Sequence, residues 1–285
     1  MEADLVARAV AATRALAAEL HLPVDDAVVI HNSNKLALRL LPCDVFARVA
    51  LIGHEVAALE VEVALRLSGA ASPVAALDPR VEPRVYERDG FAVTWWTHYE
   101  AVAGEPASPS AYADALHRLH LRMRDVEIAT PHFLDRVLAA ERLVAHPALT
   151  PALAETDRCL LLHSLQSARE QIRNHGAPEQ LLHGEPHPGN LLSARDGLLF
   201  IDFETCCRGP VEFDVAHLPE AASAHYPEVD HGLLAECRRL VLAMVAAWRW
   251  DVCDEFPRGH QHGRDILSFL RQGPPWPALA ALPAG

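Results

Sequence analysis

The stretch HGEPHPGN, residues 183–190, brings several chemically capable side chains into one short segment. His183 and His187 stand four positions apart with a carboxylate, Glu185, between them, which is the residue content of a zinc site. The same glutamate stands five positions before Asn190. A carboxylate with an amide can orient a hydroxyl group and hold Mg²⁺ on phosphates. The residues of this segment are therefore compatible with two kinds of reaction, metal-assisted hydrolysis and phosphoryl transfer.

The zinc interpretation requires both histidines on one face of a helix, and Pro186 and Pro188 oppose a helix here. A zinc deaminase would also need a Pro-Cys-x-x-Cys segment after its His-x-Glu. The nearest downstream cysteines, Cys206 and Cys207, are adjacent and do not have that spacing. We therefore set metal-assisted hydrolysis aside.

The segment after the loop, LLSARDGLLFIDFE, predicts a hairpin that turns at residues 195–197. Its return strand would deliver Asp202 beside the loop that carries Glu185 and Asn190. Asn190 and Asp202 offer the hard oxygen ligands that Mg²⁺ prefers. Glu185 would orient and deprotonate an acceptor hydroxyl, as phosphoryl transfer requires.

Three motifs in this order, HGEPHPGN, IDFE and GPVEFDVAH, resemble the aminoglycoside phosphotransferase family of small-molecule kinases, relatives of the choline and protein kinases. The resemblance covers most of the chain. By position, it implies that Glu185 is the catalytic base and that Asn190 and Asp202 bind Mg²⁺. It also implies that His183 and Asp214 brace the loop.

The chain departs from the family at the catalytic acid, because the family usually has aspartate where this chain has Glu185. The extra methylene moves the carboxylate by about one bond length, and a misplacement of ~1 Å can cost about 100-fold in rate. A shifted loop would compensate, so we expect an active enzyme. A nucleotide-binding pseudokinase is the alternative, and a kinase-like enzyme that transfers a nucleotidyl group is a second one, disfavoured by the retained acid.

A second departure concerns the nucleotide-binding cation. The only lysine in the chain is Lys35, so the lysine that the resemblance places on the third strand is missing. Arg48, in VFARVA, stands at that position, and a guanidinium can grip phosphate oxygens. Lys35 is the competing candidate because, with Asn34, it ends a turn that resembles the family's nucleotide-covering loop. A solvated arginine on an edge strand is the other interpretation of Arg48.

We expect a carboxylate to orient Arg48, and the predicted helix over residues 53–68 offers Glu55, Glu60 and Glu62. At about 100° per residue, Glu60 lies within the apolar face of that helix, whereas Glu62 points away from it. A charge on an apolar face requires a partner. The sequence therefore predicts a pair between Glu60 and Arg48.

Adenine and acceptor contacts are implied by the resemblance alone. VTWWTHY, residues 93–99, falls where the two lobes join, which makes Trp96 and His98 candidates beside adenine; plain strand and linker is the alternative. WRWDVCDEF, residues 248–256, places acids beside tryptophans, and the family binds acceptors against such helices; a solvated helix end is the alternative. The candidate acceptor residues are Trp250, Asp251, Asp254 and Glu255.

We predict an α+β, bilobal protein-kinase-like fold. Residues 1–97 form a sheet-rich N-lobe with an N-terminal helix, an antiparallel sheet and one further helix. Residues 98–285 form a mainly helical C-lobe with the loop and the acceptor site. Thr150-Pro151 predicts the start of a long helix, and Gly176 predicts its end.

Composition excludes several partners. The net charge of −13 argues against binding a nucleic-acid backbone, and no uncharged apolar run approaches the ~20 residues of a membrane span. The N-terminus lacks a signal-peptide pattern, and scattered cysteines without a CxxC pair indicate reduced thiols in a cytoplasmic protein. We expect ATP (or GTP) and Mg²⁺ as cofactors, an antibiotic, sugar or amino alcohol as acceptor, and a monomer or homodimer.

Overall fold

The computed structural model describes residues 1–53, 56–69, 72–102, 107–195 and 197–282. Glu55, Asp196 and the residues 103–106 lie outside these ranges. The chain forms two compact units, one of Met1–Glu105 with Leu192–Glu204 and one of Pro106–Leu191 with Thr205–Gly285. Residues 98–105 and 192–204, which the sequence analysis assigned to the C-lobe, thus group with the first unit.

The first unit is built on a five-stranded antiparallel sheet in the order β1-β2-β3-β5-β4. Residues of β2 and β3 alternate between buried and half-buried positions, as a sheet with one face on a core requires. On β3, the aliphatic side chains point into the core, and Arg48 lies on the opposite face. The strands are β1 (Val24–Asn32), β2 (Leu36–Pro42), β3 (Val45–Leu51), β4 (Tyr86–Arg88) and β5 (Phe91–Thr97).

Two helices and a hairpin complete the first unit. Helix α1 (Ala3–Glu19) buries its apolar stripe in the core of the sheet, and α2 (Val56–Leu67) is the second helix predicted for this part of the chain. The hairpin of β7 (Leu191–Ala194) and β8 (Gly197–Phe200) has the predicted position. Phe200 donates its N–H to the carbonyl of Pro73 at 2.7 Å, which ties the hairpin to the first unit.

The second unit is mainly helical, with one short antiparallel pair of strands. Its helices pack through buried aliphatic stripes, above all α5 against α8. The strands are β6 (Gln180–Leu182) and β9 (Cys207–Gly209). The helices are α3 (Pro109–Met123), α4 (Phe133–Ala145), α5 (Glu155–His175), α6 (Val211–Val215), α7 (Glu220–Ser223), α8 (His231–Trp248) and α9 (Gly259–Gln272).

The α+β class is therefore confirmed, whereas one predicted helix start is wrong. Helix α5 begins at Glu155, because Thr150 turns inward and its hydroxyl accepts a hydrogen bond from Arg158 at 2.7 Å. The predicted end is correct, and Gly176 closes α5 in the left-handed conformation. Within the described ranges, every helix is too short or too polar to cross a membrane.

Candidate active site

In the first unit, five charged side chains form one network, which we call the charge cluster: Lys35, Arg48, Glu60, Asp202 and Glu204. Lys35 Nζ lies 3.0 Å from Glu60 Oε2 and 2.5 Å from Glu204 Oε2. Arg48 Nη1 lies 2.6 Å from Glu60 Oε1, and its Nη2 lies 2.9 Å from Asp202 Oδ1. From the sequence, Lys35 and Arg48 are competing candidates, whereas in the structure both contact the same carboxylate.

Burial sets the electrostatics of this cluster. Glu60 is only 2% exposed, and its burial raises the pKa of its carboxyl, against the attraction of Arg48 and Lys35. Burial also acts on Asp202, but Arg48 and Lys35 outweigh it and hold the pKa of Asp202 below its ordinary value. When all three carboxylates are ionised, they exceed the two cations by one charge. The cluster therefore favours a further cation near Asp202.

Asp202 owes its position to the backbone. It follows β8, and its φ of +66° is a left-handed conformation that aspartate and asparagine tolerate better than most residues. Its carboxylate is 30% exposed and ionised, which suits a hard cation such as Mg²⁺. Among the described residues, no cluster of three or more His, Cys, Asp or Glu side chains forms a metal site.

In the second unit, residues 183–190 form a short loop, which we call the acid loop, between β6 and β7. Its acid, Glu185, contacts the guanidinium of Arg136 on α4. The Arg136 guanidinium lies 4.9 Å from the centroid of the Trp248 ring, which holds it from the other side. Burial would raise the pKa of Glu185, but Arg136, with His217 and His187 nearby, brings it below the ordinary value. Glu185 is therefore an ionised, oriented carboxylate.

The backbone of the acid loop is held by a buried carboxylate. Asp214 accepts hydrogen bonds from the N–H groups of His183 and Gly184, both at 2.8 Å, and lies 2.9 Å from His120 Nε2. His183 and Asp214 are fully buried. Gly184 has φ +91°, and a Cβ there would lie 2.0 Å from the carbonyl oxygen of Thr205, so the loop admits only glycine.

Two further bonds shape the remainder of the loop. Tyr112 donates its hydroxyl to the carbonyl of Pro186. Asn190 donates its side-chain Nδ2–H to the carbonyl of Glu185 at 3.0 Å, which leaves the amide oxygen of Asn190 outside that bond. The oxygen is the atom that Mg²⁺ would require. Asn190 and Asp202 thus each present a suitable donor atom, and their roles as metal ligands stay predictions.

The candidate adenine contacts, Trp96 and His98, lie on β5 and directly after it, and Asn34 lies in the turn between β1 and β2. Trp96 is buried and donates its indole N–H to Thr94 at 2.9 Å. His98 Nδ1 lies 3.3 Å from Asp44 Oδ1, and burial lowers the pKa of His98. Asn34 caps its own turn by accepting the Lys35 N–H at 3.0 Å. Each of these side chains already has a structural role, and a nucleotide role stays a prediction.

The candidate acceptor residues follow α8. Trp250 is buried and stacks on His260 at a centroid distance of 4.9 Å. Asp254 pairs with Arg249 at 2.9 Å, and Asp251 accepts the Cys253 N–H at 2.9 Å. Glu255 is exposed. Trp250, Asp251 and Asp254 thus already contact other parts of the protein. Acceptor binding by these three residues and by Glu255 stays a prediction.

Sequence reasoning missed three residues of the site. Glu204 belongs to the quoted IDFE motif and could have been found from it. His120 and Arg136 carry no local signal, because they lie on helices many positions upstream of their partners, Asp214 for His120 and Glu185 for Arg136. His217, near Glu185, is buried and neutral, and burial lowers its pKa to about 4.

Comparison with known proteins identifies the family of the chain. The family model of the phosphotransferase enzyme family (APH) matches residues 35–256. No curated protein matches the chain in sequence.

Solved structures with the same fold include three kinases of small molecules. The GDP complex of wild-type aminoglycoside 2'-phosphotransferase-IIIa has 14% identity and a TM-score of 0.65, over 91% of this chain and 97% of that chain. Amicoumacin kinase hAmiN in complex with AMP-PNP, Ca²⁺ and Ami has 12% identity and a TM-score of 0.67, over 95% and 97%. Choline kinase LicA from Streptococcus pneumoniae has 14% identity and a TM-score of 0.65, over 95% and 99%. At these identities the likeness is one of fold, and the predicted kinase-like architecture is confirmed.

Proposed function

We propose that the reaction of this protein depends on ATP or GTP and requires Mg²⁺. The chain belongs to the phosphotransferase enzyme family, and it is a small-molecule kinase with an alcohol group as acceptor. The observation that carries the proposal is the charge cluster. Two cations, Lys35 and Arg48, are held on the buried Glu60 beside an ionised Asp202. Fixed cations next to a metal-binding carboxylate are what the phosphates of a nucleotide require.

In this reaction, Arg48 and Lys35 would bind phosphate oxygens, and Asp202 and Asn190 would hold Mg²⁺. The metal would neutralise charge on the phosphates when bound. Glu185 would accept a hydrogen bond from the acceptor hydroxyl, orient it for in-line attack and take its proton. Since phosphoryl transfer passes through a loose transition state, the base that takes the proton need not be strong. A glutamate of lowered pKa can therefore serve.

The contact between Arg136 and Glu185 also favours a second candidate, a nucleotide-binding pseudokinase. An acid that is occupied by a guanidinium is less available to a substrate hydroxyl. In that case, the charge cluster would bind nucleotide and no phosphate would be transferred. A nucleotidyl transferase is the remaining alternative from the sequence.

A mass-spectrometric screen separates these three functions. The protein is incubated with Mg²⁺, with ATP or GTP, and with a panel of amino alcohols, sugars, aminoglycosides and macrolides. We expect one acceptor to gain a phosphoryl group, and the gain to be lost in Asp202→Asn. Gain of a nucleotidyl group would indicate the transferase. Nucleotide binding without any modified acceptor would support the pseudokinase.

The acceptor class is a proposal as well. The net charge of −13 favours a cationic acceptor, and the solved structures of similar fold are described as kinases of aminoglycosides, amicoumacin and choline. We further propose a cytoplasmic monomer or homodimer without nucleic-acid or membrane partners. Six free cysteines agree with a reducing compartment.

A further inference from the structure

The second unit contains a cavity of about 770 Å³ between α7, the start of α8, the end of α9 and the segment after α9. Phe269, Trp276 and a run of prolines form its apolar wall. The guanidinium of Arg239 lies 5.6 Å from the centroid of the Trp276 ring and fixes the ring from behind. Pockets for small molecules usually measure about 300–1,000 Å³, so the volume fits a small ligand.

The guanidinium of Arg238 lines this cavity, and its hydrogen-bonding groups are only partly satisfied. Arg238 donates its Nη2–H to Ser223 Oγ at 2.7 Å. Within the part of the chain that the structure describes, its buried Nε finds no hydrogen-bond partner. Burial lowers the pKa of Arg238, and the neighbouring Glu220 offsets this only in part. A partly desolvated cation gains most from an anionic partner.

The cavity is separate from the acid loop. Arg238 and Trp248 both lie on α8, and the ten positions between them correspond to about 15 Å at 1.5 Å per residue. Trp248 is the ring that holds Arg136 beside Glu185. The candidate acceptor residues 250–255 follow that same end of α8. The cavity lies at the opposite end of the helix.

We propose that this cavity binds a small aromatic or apolar carboxylate, with its anionic group on Arg238 and its body against Trp276 and Phe269. A guanidinium binds a carboxylate with paired, charge-assisted hydrogen bonds. Glu220, exposed in the cavity wall, opposes a second negative charge on the ligand. A monoanionic carboxylate is therefore preferred to a phosphate.

Calorimetric titration of the full chain with three probes tests the site. All three probes have an aromatic ring. Phenylacetate adds one negative charge, phenyl phosphate adds a larger negative charge, and benzyl alcohol is uncharged. We expect saturable binding of phenylacetate in preference to the other two. Arg238→Gln should weaken phenylacetate about ten-fold or more, the usual loss for a charge-assisted hydrogen bond, and leave benzyl alcohol unchanged.

Two variants complete the design. Arg173→Gln removes an exposed arginine from the last turn of α5 and should change nothing. Ala224→Phe fills the cavity from its own wall and should remove binding of every probe while Arg238 stays in place. If Arg238→Gln does not fold, as judged by its thermal unfolding, Ala224→Phe decides alone.

The proposal is overturned by any of four results. These are no saturation with millimolar phenylacetate, undiminished binding to folded Arg238→Gln or Ala224→Phe, displacement of phenylacetate by AMP-PNP, and tighter binding of phenyl phosphate than of phenylacetate. Because none of them depends on phosphoryl transfer, failure here is distinguishable from failure of the proposed kinase function.

Discussion

The charge cluster of the first unit and the acid loop of the second hold their functional groups by different means. In the cluster, side chains from four segments hold one another through ion pairs, so that each charge depends on the others. In the acid loop, the backbone is fixed by hydrogen bonds to Asp214 and Tyr112, and the Glu185 side chain is held by an ion pair. The cluster should therefore respond mainly to changes of charge, and the loop mainly to changes of geometry.

Asp202→Asn should give the largest effect and abolish Mg²⁺-dependent phosphoryl transfer. Asparagine tolerates the left-handed backbone of residue 202 but removes the charge that binds the metal and balances Arg48. Turnover and nucleotide binding are measured with and without Mg²⁺. Asp89→Asn is the matched control, because Asp89 has φ +51° and pairs with an arginine outside the cluster. Wild-type turnover in Asp202→Asn would remove this residue from the metal site.

Glu185→Gln should lower kcat by about 100- to 10,000-fold, the usual contribution of proton transfer, with nucleotide affinity little changed. Glu185→Asp should also lower kcat, because the shorter side chain withdraws from Arg136. Both are read by steady-state kinetics on a verified acceptor.

The control for these two variants is Glu141→Gln, which breaks another half-buried carboxylate–arginine pair of the second unit, Glu141 with Arg169 at 2.8 Å. It should leave kcat unchanged. Equal kcat in wild type and Glu185→Gln would leave positioning and Mg²⁺ to carry the reaction.

Arg48→Ala and Lys35→Ala should each weaken ATP by about 10- to 100-fold, the range for loss of one charged hydrogen bond. Adenosine, which has no phosphates, should bind nearly as before. Calorimetric titration with both ligands measures the difference. Arg88→Ala, on β4 and paired with Glu19, is the control in the same sheet. Equal losses of ATP and adenosine would indicate that the cations serve packing alone.

His217→Gln should have the smallest effect, a change in the pH dependence of stability. His217 is neutral in the fold with a pKa of about 4, below the unfolded value of about 6.5. Above the pKa of the unfolded state, His217 is neutral in both states and its burial does not reduce the free energy of unfolding. As the pH falls from that pKa towards the pKa of the folded state, the unfolded state gains a proton and the free energy of unfolding falls by up to about 1.4 kcal/mol per pH unit.

Urea unfolding at pH 7.5 and 5.0 measures this dependence. His217→Gln should show a smaller loss of stability between the two pH values than wild type does, whereas replacement of the exposed His225 by glutamine should not. An identical loss in all three proteins would mean that His217 is charged in the fold.

Local periodicity predicted a large part of this structure. Alternation in VFARVA separates Arg48 from the aliphatic side chains of β3, and helical spacing in α2 placed Glu60 on the apolar face, because both patterns repeat over short distances. Sequence order also placed Asp202 at the end of a hairpin.

What the sequence did not predict depends on tertiary contact. Lys35 and Arg48 can both pair with Glu60 only because the turn before β2 lies beside α2. The contact between Arg136 and Glu185 joins positions far apart in the chain. The false helix start at Thr150 has the same origin, because a buried Arg158 uses the threonine hydroxyl that would otherwise cap the helix.

The division of the first unit between two stretches of chain has a consequence during synthesis. The strand hydrogen bonds that Phe200 makes near Pro73 and Ala75, and that Ser193 makes with Val102, cannot form until the ribosome has made residues 106–191. At about 5–20 residues per second, this delay is on the order of ten seconds. The nascent sheet must wait that long for the segment that carries Asp202. A truncated chain that ends before residue 192 keeps all five strands of the sheet but lacks Asp202 and Glu204 of the charge cluster.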